Sequence, residues 1–415
     1  MQSKKLTQYI FIAMILGILC GWAFHSQFAG TDVAQEFSEY ISILTDVFLR
    51  LIKMIIAPLV FSTLVVGIAR MGDGGTIGRV GVKTFGWFLF MTLLSLTLGI
   101  IMVNLLQPGV NLHLPLPAKD AATGIAHHAM SLQDFVSHMI PTSVVDAMAR
   151  NEILQIVVFA VFFGVAAAHL GKKGEPLIDN LDMIAHIMLK VTTYIMNMAP
   201  LAVFAAIAAV VAKNGLGILV TYGSFMLSFY LAILALWCVI IGMGFLFLGS
   251  RVFGLVKSVR EPILLAFTTA SSEAAYPKTL EQLERFGCSN RIASFVLPVG
   301  YSFNLDGSMM YCTFAVIFIA QAYGIELTLS QEILMLLILM VTSKGMAGIP
   351  RASLVVIAAT LAQFDIPEAG LLLIMGVDHF LDMARAATNV LGNAVATGVV
   401  SKWEKQLSPH GAKDI

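Results

Sequence analysis

Residues 376–393 read GVDHFLDMARAATNVLGN. Asp378, Asp382, Arg385, Asn389 and Asn393 stand there at offsets 0, 4, 7, 11 and 15. At about 100° per residue they fall on one helical face, within an arc of roughly 80°. The surrounding stretch, 370–401, is long enough to cross a bilayer, which takes about 20 residues. Each central Asp or Arg in such a helix costs about 2.5–3.5 kcal/mol on insertion, so three on one face must be paired, solvated or used. A lone Asp–Arg pair at i, i+3 is commonly a structural ion pair; five polar residues on one face are more than that. An Arg flanked by carboxylates reads a ligand carboxylate through two parallel N–H bonds, and a neighbouring Asp accepts from an ammonium group. The combination fits an acidic amino acid.

The rest of the chain puts this face inside a membrane. Of 415 residues 58% are hydrophobic and 12% charged, where soluble domains carry about a quarter charged. Formal net charge is zero and no basic block occurs, which argues against a nucleic-acid partner. Cys20, Cys238, Cys288 and Cys312 form no CxxC pair and read as free, buried thiols. The first apolar run, 9–24, follows Lys4 and Lys5 but is not followed by a small-x-small cleavage site, and reads as a retained first span.

Apolar segments at 7–25, 41–69, 81–106, 151–170, 177–212, 216–249, 292–323 and 370–401 predict eight crossings. Lys4 and Lys5, Arg70 with Arg79 and Lys83, Lys172 and Lys173, Arg251 with Lys257 and Arg260, and Lys402 with Lys405 fall in alternate loops. By the positive-inside rule these loops are cytoplasmic, as are both termini. Two further apolar stretches, 255–288 and 329–365, are broken at their centres by polar, Gly or Pro residues. The first is flanked by basic residues on both sides and the second by Glu326, Glu332, Asp365 and Glu368, so each enters and leaves on one side, from opposite faces. The expected fold is an all-α polytopic membrane protein with eight transmembrane helices and two opposed re-entrant helical hairpins. Opposed hairpins, each followed by a full span, mark inverted repeats, which place substrate at mid-membrane.

Three more motifs are polar where hydrophobicity should be deepest. TTASSEAAYP, 268–277, carries Ser271, Ser272 and Glu273 at a hairpin tip; hydroxyls and free backbone groups at half-helix ends suit an anion. NLDGS, 304–308, predicts local unwinding, with carbonyls beside Asp306 suited to a cation. TSKGMAGIPRAS, 342–353, is Gly- and Pro-rich, carries Lys344 and Arg351, and reads as a gate. Glu273 is either solvated or paired with Arg351 across the two tips, and Lys344 reads as snorkelling to the surface. The histidines of 107–150 read as loop residues, not a metal site. No Ser, His and acid carry a triad-like local signature. An aspartyl protease pairing Asp306 with an Asp of the last span lacks its GxGD-type motif. Neither kind of enzyme is expected.

Taken together, these motifs resemble the dicarboxylate/amino acid:cation symporters, the glutamate-transporter homologues, over essentially the whole chain. The serine-rich tip, NLDGS in place of the family's NMDGT, AGIP in the second hairpin and D-x-x-x-D-x-x-R-x-x-x-N in the last span occur in the family's order. The resemblance implies a homotrimer in a bacterial inner membrane and an elevator mechanism gated by the external hairpin. It implies a scaffold of 1–75 and 125–215 (spans 1, 2, 4, 5) and a transport domain of 76–124 (span 3) and 216–405 (spans 6, 7, 8 and both hairpins). Arg385 would bind the substrate side-chain carboxylate and Asp382 its amino group. Asn389, Ser308 and the backbone of Ser271, Ser272 and 349–353, including Ile349, Pro350 and Ser353, would hold the α-carboxylate. Aspartate or glutamate is the implied substrate, with a C4-dicarboxylate as the alternative.

Departures from the family concern the coupling ion, and no other cofactor is implied. The sodium ligands would be Gly300, Asn304, Asp306, Asn389 and Asn393. Sodium-coupled members place an Asp where this chain has Asn393, and a Tyr and a Thr-Ser pair where it has Phe88, Met91 and Thr92. Met91 offers no hard oxygen and Asn393 no charge. Proton coupling is therefore expected, with Glu273 the first candidate carrier and Asp306 and Asp378 next. Sodium coupling with an accompanying anion conductance is the alternative. The Arg that some prokaryotic members carry before the hairpin serines is Ala270 here, and Arg351 is the candidate to balance Asp382.

Overall fold

A computed structural model describes residues 3–28, 31–70, 74–110, 140–215, 222–342 and 352–408. Among these the regular structure is helical, apart from one antiparallel bridge between Cys288 and Leu407. The longest helices come first: α1 (Ser3–Phe28), α2 (Asp32–Ala69) and α3 (Gly74–Leu106). They are followed by α4 (Val144–Arg150), α5 (Ile153–His169), α6 (Glu175–Met196) and α7 (Ala199–Asn214). Helix α8 (Gly223–Leu248) precedes α9 (Arg251–Ser258), α10 (Arg260–Thr269) and α11 (Ser272–Phe286). The chain then forms α12 (Asn290–Phe303), α13 (Asp306–Ala322), α14 (Leu329–Thr342), α15 (Ala352–Gln363), α16 (Leu371–Met375) and α17 (Asp378–Trp403).

The count of spans differs from the expected eight. Among the described residues five helices are long and apolar enough to cross a membrane: Gln8–Phe28, Asp32–Ala69, Gly75–Leu106, Gly223–Leu248 and Asn290–Ala322. A bent pair, α6 with α7, makes a sixth if taken as one span; the two meet at 53° just before Pro200, which sits in the first turn of α7. Stretch 151–170 yields only the 17 residues of α5, about 25 Å of helix. The last stretch is divided between α16 and α17, and α17 carries Asp378, Asp382 and Arg385, which lower its mean hydropathy. A hydropathy window on sequence detects neither bends nor breaks.

Two groupings of helices position the site. Helix α2 packs on α5, α6 and α7, and α1 lies along α7. Helix α17 is surrounded by α3, α8, α10, α11, α12 and α13, and is buried on every side from Met383 to Ser401. A helix hydrophobic or small all round is the kind that other helices can enclose, and the run AxAAxxVLGNAVATGVV supplies that surface. Asp378 in its first turn and Lys402 in its last complement the helix dipole. Helices α11 and α12 also touch α2, which joins the groupings.

Cys288 and Cys312 are buried free thiols, as expected, but Cys20 is half-buried and Cys238 is exposed on α8. Burial of all four is thus corrected: Cys238 lies on the outward face of a long apolar helix, which in a membrane protein meets lipid.

Candidate functional site

Three helix interruptions converge on α17. The first lies between α10 and α11, which pack side by side. Ala270 closes α10 in the left-handed conformation, φ 48°. Ser271 follows with extended backbone, and its hydroxyl caps α11 by accepting from the Ala274 N–H at 3.2 Å. This serine capping satisfies an otherwise free donor at the helix start, and Ser272 and Glu273 form the first turn. The second interruption is at Asn304 and Leu305, between α12 and α13, where NLDGS predicts unwinding. The third, residues 343–351, lies outside the described residues, and with it Lys344, Ile349, Pro350 and Arg351. Ser353, in the first turn of α15, is buried.

Helix α13 starts hard against α17. A Cβ built on Gly307 would come within 2.7 Å of the Arg385 carbonyl oxygen and 2.9 Å of its Cα, so only glycine allows this approach. The Gly307 N–H donates to Asn389 Oδ1 at 2.9 Å, and Asn389 Nδ2 donates to Ser308 Oγ at 3.3 Å. Asn389 therefore fastens the start of α13, and its oxygen is already engaged.

Arg385 is the centre of the site. Its side chain is 3% exposed, and Nη2 lies 3.0 Å from Asp378 Oδ1 and 2.9 Å from Asp382 Oδ1. The guanidinium carbon sits 4.0 Å from the centroid of the Tyr311 ring, a cation–π arrangement. The Tyr311 hydroxyl donates to Asp378 Oδ1 at 3.1 Å, so one aromatic residue supports both members of the pair. Arg385 Nε and Nη1 are buried and have no hydrogen-bond partner. The guanidinium is planar with fixed donor directions. Nε–H and Nη1 open on different edges, each edge being completed by Nη2. Both two-donor edges therefore pass through the atom that Asp378 and Asp382 share. Asp378 is held in place and buried, whereas the Asp382 side chain is 44% exposed and is the partner able to leave.

A second polar knot lies one to two turns along α17. Asn304 Nδ2 donates to Asp306 Oδ2 at 3.1 Å and to Asn393 Oδ1 at 3.2 Å, and Ser95 Oγ lies 3.2 Å from Asp306 Oδ1. Asn304, Asp306, Asn393 and Ser95 are all fully buried. A Cβ on Gly300 or Gly392 would collide with Asn393 Oδ1 or Asp306 Oδ2, so both glycines are required for closure. Four of the five expected sodium ligands gather here, Gly300, Asn304, Asp306 and Asn393. Asn389 is instead bonded to Gly307 and Ser308. Phe88 and Met91 are buried nearby on α3. Among the described residues no group of three or more His, Cys, Asp or Glu gathers to hold a metal ion.

Glu273 is not brought to Arg385. It lines a small void with Tyr276, Pro298, Tyr301, Ile56, Val60 and Ile153, on the side of α11 that faces α2 and α5. Sequence reasoning missed Tyr311, Ser95 and Trp237, whose indole donates to Thr388 Oγ1 at 2.8 Å. Tyr311 had a signal: it stands four residues after Gly307 on one helical face. Ser95 and Trp237 had none, since their partners are more than 100 positions away in the chain.

An all-helical chain with several membrane-length apolar helices and a buried, partly unsatisfied Arg between two carboxylates defines a membrane transporter for small anionic solutes. The chain belongs to the sodium:dicarboxylate symporter family, whose model matches residues 6–403. It is 40% identical over 420 residues to the proton/sodium-glutamate symport protein of Geobacillus stearothermophilus, covering 100% of this chain and 98% of the relative. It is 41% identical over 413 residues to the C4-dicarboxylate transport protein of Laribacter hongkongensis, covering 98% and 92%. To the proton/glutamate-aspartate symporter of Escherichia coli it is 41% identical over 411 residues, covering 97% and 94%. The chain is thus a symporter of the membrane and not an enzyme.

Proposed function

We propose that this protein imports aspartate or glutamate together with protons. The observation that carries the reading is Arg385, whose Nη2 is shared by Asp378 and Asp382 while Nε and Nη1 go unused. An incoming carboxylate needs a two-donor edge and can complete one only by taking Nη2 from Asp382. Asp382, once released, needs a cation, and an α-ammonium group is the cation that an amino acid brings. A plain C4-dicarboxylate supplies no such partner and would leave Asp382 facing a like charge. The C4-dicarboxylate reading keeps one support, the names of relatives such as that of Laribacter hongkongensis.

Ser308 and the backbone at Ser271, Ser272, Ile349, Pro350 and Ser353 would receive the α-carboxylate, with Asn389 positioning Ser308. In the knot, Asn304 donates an amide hydrogen to Asp306 and Asn393, where a cation would otherwise attract both oxygens. That arrangement supports protons over sodium, with Glu273 as the carrier. The movement would be an elevator displacement in a homotrimer, of 76–124 and 216–405 against 1–75 and 125–215. The pair α10 and α11 would re-enter from the cytoplasm, and the pair α14 and α15, with Lys344 and Arg351, would gate the outside.

The test is uptake of labelled aspartate, glutamate and succinate into proteoliposomes, with proton and sodium gradients imposed separately. Accumulation of aspartate or glutamate under an inward proton gradient alone is expected. Preference for succinate overturns the substrate, and a strict sodium requirement overturns the ion.

A further inference from the structure

The side of α11 away from Arg385 carries a line of polar groups along its seam with α2 and α12. Glu273 begins it, beside a void of about 10 Å³ bounded by Tyr276 and Tyr301, room for about one water. Glu273 and the Tyr301 hydroxyl are close enough to act on each other electrostatically, and so are Tyr301 and Tyr276. The two rings meet edge to face at 5.5 Å. Both hydroxyls are buried without a hydrogen bond of ordinary length. Thr63 and Thr279, which lie near them, already donate to Leu59 and Ala275 in their own helices. Tyr276 is in turn coupled to Glu284, three turns along α11 from Glu273. Glu284 is half-buried, accepts from Asn290 Nδ2 at 2.5 Å, and lies near Asp182 and His186 of α6.

Buried hydroxyls left without partners disfavour folding unless water or function uses them. Resting on the reading that Glu273 carries the coupled proton, we propose that Glu273, Tyr301, Tyr276 and Glu284 form a proton path along the α2–α11 seam, separate from the substrate pocket. The proton leaves the Glu273 carboxyl for the bridging water, and each hydroxyl accepts a proton on its oxygen while passing its own onward. The Glu284 carboxylate takes the last one, so neither tyrosine changes charge. The other charges facing the line are Lys53 of α2 and Glu152 beside α5 at the Glu273 end. At the Glu284 end they are Glu281 of α11 with Asp182 and His186 of α6. Arg385 is not among them, so substrate and proton occupy opposite sides of one short helix.

The experiment compares proton-gradient-driven aspartate uptake with aspartate exchange at equal pH, in the full-length protein and in Tyr301→Phe, Tyr276→Phe and the double variant. Each substitution removes one oxygen and keeps the ring packing. Driven uptake should fall about tenfold or more in the double variant, in keeping with the loss of a positioned proton-transfer group, while exchange changes less than about twofold. Driven uptake that keeps its rate and pH profile in the double variant, with Glu273→Gln still abolishing it, overturns the path and leaves Glu273 as carrier. Parallel loss of both activities in every variant makes the tyrosines structural and also overturns it. Failure of the unsubstituted protein to respond to protons would instead defeat the reading beneath.

Discussion

Replacing Arg385 by Cys removes the group on which both substrate recognition and local electrostatics turn. An acidic ligand bound on one edge of the guanidinium would make two charge-assisted hydrogen bonds, each about 1.5–3 kcal/mol. Losing both corresponds to about 3–6 kcal/mol, or roughly 10²- to 10⁴-fold in Kd. The pair with Asp382 adds little to stability, because that carboxylate is 44% exposed. The pair with Asp378 is buried, and stranding a buried charge costs about 3–5 kcal/mol unless Asp378 takes up a proton. Arg385→Lys separates the two effects, since an ammonium keeps the charge but lacks the fork. Titration calorimetry on purified protein, with glutamate, aspartate and serine as ligands, measures the affinities; a thermal melt and the elution profile report folding. The Cys variant should lose acidic ligands by the stated factor while binding of serine is unchanged or gained, and the Lys variant should fall between. Glutamate affinity within threefold of the unsubstituted protein, on a well-folded Cys variant, would refute the assignment of Arg385.

Two further outcomes follow from packing and charge. Gly392→Ala drives a Cβ into Asp306 Oδ2 and should lower stability by about 1–3 kcal/mol, read as a fall in melting temperature; an unchanged melt would mean that the knot opens without strain. At the far end of α17, Arg79 and then Lys83 hydrogen-bond the Glu404 carboxylate and hold it below the usual carboxylate range. A carboxyl depressed on folding contributes stability above its unfolded value and loses it as pH falls through the folded one. The melting temperature should therefore decline below about pH 4 more steeply in the unsubstituted protein than in Glu404→Gln; identical acid profiles would refute this.

What the sequence determined by itself was local. The polar face of α17 follows from helical period, the break at Asn304 and Leu305 from an unwinding motif, and the start of α11 from a capping serine, each encoded within a few residues. Sequence overcounted the spans because α6 and α7 bend and α5 stops short, and a hydropathy window is blind to direction. Tertiary structure decided the partners. Asp378 meets Tyr311 across 67 positions and Asn304 meets Asn393 across 89, and no local pattern records which helix α17 will lie against. It also decided that Asp382 shares Nη2 with Asp378, and that Glu273 turns toward α2. The five polar residues on α17 could be recognised in the chain as a string of letters. That they form two separate knots, one centred on a cation and one on an amide, depends on how α13 enters between Arg385 and Asn389, and only glycine at 307 lets it approach so closely.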